Sequence, residues 1–243
     1  MLAYVAMTLK NKRVVVIGGA TGIGFAIAEL AAADGADVVV ASSSEANVNA
    51  AVGRLPNLTG LQVDLRDEAG VAAFFERLGP FDHLAITSGD WGGTMYASVR
   101  ELDFDQARNG LTVRFWGSIA AVKYGARTIA ADGSITLTSG MLAHRPVRSA
   151  PMTTAIAGAM EHLARGLAMD LAPVRVNAVC PGIVLTEHVK AQMPPGRLQA
   201  YTAALPIARS AEPAEAAAAY VYLMQSTYAT GQILPVDGGG LLV

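Results

Sequence analysis

The sequence has a single cysteine, few aromatic residues and no excess of either charge. Cys180 alone cannot form an internal disulfide, which excludes a disulfide-built fold and fits a reducing cytosol. It lies in the apolar run Val176 to Cys180 and reads as a small buried hydrophobe. Eighteen Lys and Arg against twenty Asp and Glu give a formal net charge of −2. Sequence-independent attraction to nucleic acid or to an anionic membrane therefore has no source, and neither partner is expected. The uncharged stretch Val14 to Ala28 carries four glycines and falls short of the ~20 consecutive apolar residues a spanning helix needs. Met1 to Met7 is apolar, but no basic n-region or long apolar core follows, so no secretory leader is read there.

What is present is an alanine- and valine-rich chain of 243 residues, 52% hydrophobic, with a mean hydropathy of +0.37. Short apolar runs alternate with helical patterns throughout, and no Pro- or Ser-rich linker divides them. Strands are expected at Arg13–Ile17, Asp37–Ala41, Leu61–Asp64, His83–Thr87, Ser134–Thr138, Arg175–Val179 and Gln232–Val236. Helices are expected at Gly22–Ala33, Glu45–Gly53, Glu68–Leu78, Asp103–Ala131, Thr154–Leu171 and Pro213–Gln225. Strict alternation of this kind predicts one α/β domain over residues 1–243, a Rossmann-like, doubly wound three-layer sandwich around a mostly parallel seven-stranded sheet. Ligands of such sheets bind beyond the carboxyl ends of the strands.

The first strand runs into Gly18-Gly19-Ala20-Thr21-Gly22-Ile23-Gly24 and then a helix. Glycines here allow a sharp turn and close approach of a pyrophosphate to the helix N-terminus, whose free N–H groups favour negative charge. A glycine triplet alone is a weak signal, but the strand before it and the helix after it supply the required context. With Gly18, Gly22 and Gly24, the chain also has Val63-Asp64-Leu65, Asn177-Ala178-Val179-Cys180-Pro181-Gly182 followed by Ile183 and Thr186, Thr230-Gly231-Gln232, and Val236-Asp237-Gly238-Gly239. On these residues the sequence resembles the short-chain dehydrogenase/reductases nearly end to end. The resemblance implies a nicotinamide dinucleotide on the glycine turn, with Asp64 and Leu65 at the adenine and Pro181 to Thr186 at the carboxamide. The family's Asn-Asn-Ala-Gly element is partly kept as Ile86-Thr87-Ser88-Gly89, bringing Ser88 and Gly89 to the cofactor. The second strand ends in Ala41-Ser42-Ser43-Ser44 with no carboxylate before Glu45, which favours NADP(H) over NAD(H), although no Arg or Lys stands there to pair with a 2′-phosphate.

The family's members typically use Asn, Ser, Tyr and Lys. Ser139 fits the Ser, but ungapped matching of the helix through Pro173 puts Thr153 at the Tyr position and Ala157 at the Lys position, and Arg114 where the Asn belongs. None of the seven tyrosines lies between Ser139 and Asn177. A threonine hydroxyl can orient a substrate but cannot act as a Lys-activated phenol does. His144 is the candidate proton source, against the plainer reading of a solvated loop histidine beside Arg145. Arg114 would polarise an oxyanion or clamp a carboxylate, or else sit in an ion pair among the helices. Together with His144, Arg145 and Arg148 it would make a cationic cleft for an anionic small-molecule substrate.

Trp91, Met95, Met141, Met152 and Met193 would border an apolar pocket, and the segment 183–211 reads as a mobile substrate lid. The expected activity is hydride transfer to or from a carbonyl, imine or activated C=C. A silent NAD(P)-binding sensor or partner subunit, and a lyase or isomerase on the same fold, remain open. The resemblance also implies a homodimer or homotetramer built on the helices at 103–131 and 154–171, and the lone cysteine fits a cytoplasmic location.

Overall fold

The computed structural model describes residues 8–89 and 96–243. Trp91, Met95 and the apolar stretch Met1 to Met7 lie outside the described residues. Seven strands form one parallel sheet: β1 (Arg13–Ile17), β2 (Asp37–Ser42), β3 (Thr59–Gln62), β4 (Phe81–Ile86), β5 (Ile129–Thr138), β6 (Arg175–Pro181) and β7 (Ile233–Val236), in the spatial order β3-β2-β1-β4-β5-β6-β7. β1 shows why the chain folds this way. Its side chains alternate, so Val15 and Ile17 join one core with Phe74, Phe75 and Phe81, and Val14 and Val16 join the other with Phe25, Ile27 and Tyr220. Both faces are therefore covered, which a parallel sheet requires.

The helices are α1 (Gly22–Ala33), α2 (Glu45–Arg54), α3 (Glu68–Leu78), α4 (Phe104–Leu111), α5 (Ser118–Gly125), α6 (Pro151–Asp170), α7 (Glu187–Gln192), α8 (Pro195–Thr202) and α9 (Pro213–Gln225). α1 and α9 cover one face, while α3, α5 and α6 contribute to the core on the other. The strand order reverses beside β1, whose neighbours are β2 and β4, so the ligand crevice opens beyond their carboxyl ends.

Several boundaries differ from expectation for physical reasons. The helix expected over Asp103–Ala131 ends at Gly125, because β5 starts at Ile129 to pair with Phe81. A Cβ on Gly125 would stand 2.9 Å from the Phe75 ring, so that close helix end requires glycine. The same helix is interrupted by a π-helical turn, Thr112–Gly117, between α4 and α5. β3 lies two residues earlier than expected, which leaves Asp64 in the turn beyond it, its Oδ1 accepting from the Arg66 backbone N–H at 3.0 Å. The expected lid holds α7 and α8. Its two ends are pinned together by Leu185 N–H to Ala211 O at 2.8 Å and Ala211 N–H to Ile183 O at 2.9 Å.

Candidate active site

The glycine turn is shaped by what surrounds it. Gly18 has φ +86°, and a Cβ there would lie 2.7 Å from the Ser88 backbone nitrogen; one on Gly24 would lie 2.1 Å from the Gly18 carbonyl oxygen. These are backbone obstacles that only glycine avoids. Gly22, at φ +54°, faces Thr186, so the first turn of α1 meets the segment after β6. Thr21 at the start of α1 makes no capping bond, and the helix has no acidic residue in its first turn. By contrast, Ser44 caps α2 and Asp67 caps α3. The N–H groups around Ile23 and Gly24 at this end are thus left for an anion. A dinucleotide pyrophosphate fits this cradle.

The remaining cofactor candidates sit around the same crevice. Ser42 ends β2, and its Oγ accepts from the Ser44 N–H at 3.3 Å. Ser43 is exposed, and its carbonyl accepts from Gln62 Nε2 at 2.9 Å. Leu65 is buried against Gly117 of the π-helical turn. Pro181 ends β6, Gly182 N–H donates to Val236 O at 2.9 Å, and Ile183 pairs with Ala211. Thr186 caps α7, its Oγ1 accepting from the Val189 N–H at 3.2 Å.

Ser139 follows β5 and is fully buried. Its hydroxyl has two acceptors, Glu161 Oε1 at 2.8 Å and the carbonyl of Ala157 at 3.1 Å. His144 Nε2 also meets Glu161 Oε1, at 2.9 Å. His144 is a loop histidine with its side chain 42% exposed, but it is not free in solvent: it follows a 3-10 turn, Met141–Ala143, and hydrogen-bonds a buried carboxylate. In that pairing His144 faces an acid, while Arg145 and Arg148 lie exposed. Glu161 is the residue that sequence reading missed. It stands one helical turn after Ala157 on α6, on the face turned to Ser139, and an acid at a buried position of that helix was the available signal.

Cys180 lies in the same cluster, its Sγ, Glu161 and His144 ligand atoms all within 4.8 Å of one another. Ligands on one tetrahedral zinc would stand about 3.4 Å apart at bond lengths near 2.0–2.1 Å. The 2.8 and 2.9 Å contacts on Glu161 Oε1 are instead direct hydrogen bonds. Burial pushes the Cys180 thiol up to about 12, so it stays protonated.

Thr153 is buried near the start of α6, and Ala157 lies one turn further on. No phenol stands at either position. Arg114 lies in the π-helical turn, buried, its backbone carbonyl accepting from Ser118 Oγ at 2.6 Å. Such turns frequently mark functional sites. Burial lowers its pKa to about 10, and it remains a cation at neutral pH. Its guanidinium packs on Gly89. Met141 Sδ accepts from Tyr201 Oη at 2.8 Å, tying the turn after Ser139 to α8; Met152 and Met193 are half-buried.

A doubly wound sheet with this glycine turn defines a dinucleotide-binding α/β protein. The family model described as Enoyl-(Acyl carrier protein) reductase matches residues 18–240. The short-chain dehydrogenase/reductase ucsE of Acremonium sp is 33% identical over 271 residues, covering 100% of both chains. A solved small-chain dehydrogenase in complex with NADPH is 35% identical, with a TM-score of 0.81 over 96% of this chain and 100% of that one. The MalC reductase/Diels-Alderase of Malbranchea aurantiaca superposes with a TM-score of 0.89 at 28% identity, over 97% of this chain and 98% of that one. The chain belongs to the short-chain dehydrogenase/reductase family and is an oxidoreductase of that type.

Proposed function

We propose that the protein is an NADP(H)-dependent oxidoreductase with a rearranged active site, moving a hydride to or from a carbonyl, imine or activated C=C of a small organic substrate. One observation carries this reading: the glycine turn opens on an uncapped helix N-terminus at the same sheet edge as the buried Ser139, and the sequence match supports Thr153 and Ala157 as standing at the positions of the family's Tyr and Lys. Bound nicotinamide supplies the two electrons. Ser139 orients the substrate oxygen, and Arg114, a buried cation, stabilises negative charge on the substrate. Thr153 shapes the site without serving as its acid. The hydroxyls of Ser42 and Ser43, with no carboxylate beside them, support NADP(H), as does the solved relative that holds NADPH. The helices of segment 183–211 form the lid over the substrate.

The same reading makes the protein a homodimer or homotetramer in the cytoplasm. Phe104, Trp116 and Met169 are 68%, 61% and 83% exposed along the helical segments expected to pair, and covering them would remove apolar surface from water. Among the described residues no helix is long and apolar enough to cross a membrane. Fluorescence titration with NADPH and NADH tests the cofactor: NADPH is expected to bind at least about tenfold more tightly, and failure of both to bind would overturn the reading. Sedimentation velocity tests the assembly, and a lone monomer species would contradict it.

A further inference from the structure

We infer that Ser139, Glu161 and His144 form a proton relay that replaces the missing Tyr and Lys. The proposal rests on the oxidoreductase reading above. Its basis is that two donors converge on one oxygen: Glu161 Oε1 lies 2.8 Å from Ser139 Oγ and 2.9 Å from His144 Nε2. A proton arriving on that atom from the imidazole leaves toward the serine by turning about the Cδ–Oε1 bond, with the carboxyl group itself in place. Exposure follows the same order. Ser139 is 0% exposed, the Glu161 side chain 3% and the His144 side chain 42%. The serine is sealed from solvent, so its proton is replaced through Glu161, and the histidine is the end that water reaches.

In the reducing direction, a bound reduced nicotinamide would supply the hydride for the new C–H bond, which would leave the carbonyl oxygen negative. Ser139 Oγ–H gives that oxygen its proton. Glu161 Oε1, which has taken a proton from the His144 imidazolium, passes it to Ser139 in the same step, so no serine alkoxide forms, and water reprotonates His144. Electrons and protons balance: one hydride and one proton are consumed for each carbonyl reduced. Glu161 and His144 serve as acids acting through Ser139, and Cys180, held as the thiol by burial, takes no part.

The test exploits a difference in chemistry between two probes. Hydride addition to an iminium cation needs no proton, whereas reduction of an aryl methyl ketone does. NADPH-saturated wild type, Glu161→Gln and His144→Ala are compared on an N-alkyl dihydroisoquinolinium ion and on the ketone in single turnover. Ketone reduction is expected to fall about 10²-fold or more in both variants, with the iminium rate unchanged, and added imidazole is expected to restore His144→Ala at its exposed position. In the protein without cofactor, proton NMR is expected to show a downfield imidazole N–H resonance that is lost in His144→Ala and shifted in Glu161→Gln. Glu161→Asp and thermal melting separate misfolding from loss of the relay. Equal effects on both probes, a ketone rate insensitive to both variants, or a wild type that reduces only the iminium would overturn the relay while sparing the oxidoreductase reading. Oxidation of NADPH by neither probe would overturn that reading, and the relay with it.

Discussion

The Arg114 guanidinium packs directly on Gly89: a Cβ at that glycine would lie 2.1 Å from one of its terminal nitrogens. The π-helical turn that carries Arg114 is thus matched to a glycine in the segment after β4, and the two residues fix where a buried positive charge stands beside the crevice. Gly89→Ala is expected to push that charge aside and Arg114→Ala to remove it. Both should lower kcat/KM for an aryl α-keto acid more than for the matching methyl ketone, by about tenfold or more. Because they act on one group, the double variant should cost little more than Arg114→Ala alone. Additive losses, or equal losses on both substrates, would show that Arg114 does not read substrate charge.

Cofactor choice is tested at the end of β2. Ser42 terminates the strand, and Ser44 is already engaged in capping α2 through the Asn47 N–H at 3.2 Å. Ser42→Asp places a carboxylate where a ribose 2′-hydroxyl would be bound and a 2′-phosphate repelled. The ratio of NADH to NADPH affinity is expected to rise at least about tenfold, read by fluorescence titration of both nucleotides. A variant that still prefers NADPH to the same degree would place the discriminating contact elsewhere.

Much of this fold is legible in the sequence because the parallel sheet leaves so few choices. Val14 to Ile17 is a continuous β-branched run followed by glycines, and it forms β1 and the nucleotide turn where it was expected. The helix over 103–131 ends earlier than expected, at Gly125, because Ile129 leaves the helical pattern to pair with Phe81, a partner about fifty residues away. The site is legible only in part. Motif spacing finds Gly18, Gly22, Gly24 and Ser139, since a βα turn and a strand end fix them. Glu161 was passed over although its spacing from Ala157 and Ala164 puts it on the apolar face of α6, because only the packing of that helix against the end of β5 shows that it meets Ser139. His144 was named, but its partner lies seventeen residues on, and loop sequence does not show which element it folds against.

The glycine turn also carries a stability prediction. A Cβ at Gly24 would stand 2.1 Å from the Gly18 carbonyl oxygen and 2.7 Å from its carbonyl carbon, both backbone atoms that cannot rotate away. Gly24→Ala must therefore open the turn. Overpacking of this kind typically costs about 1–3 kcal/mol, and NADPH affinity should fall together with stability because the same backbone forms the cradle. Urea denaturation and nucleotide titration on one preparation measure both. Unchanged affinity would mean that the turn does not hold the pyrophosphate.

His83 gives the protein a built-in sensitivity to acid. It is buried in β4, 4% exposed, with Nδ1 2.9 Å from Ser134 Oγ, and burial lowers its pKa from 6.5 to about 4. The folded state therefore holds it neutral at a pH where the unfolded chain already takes up a proton. Its contribution to stability is full above pH ~6.5, declines as the pH falls toward about 4, and levels off below both values. Between those two pH values the effect amounts to roughly 3.5 kcal/mol at most. His83→Gln removes the titration but keeps a polar side chain for Ser134. Urea midpoints between pH 7.5 and 4.5 should fall less steeply for the variant than for the wild type, and parallel curves would show that His83 does not sense pH through folding.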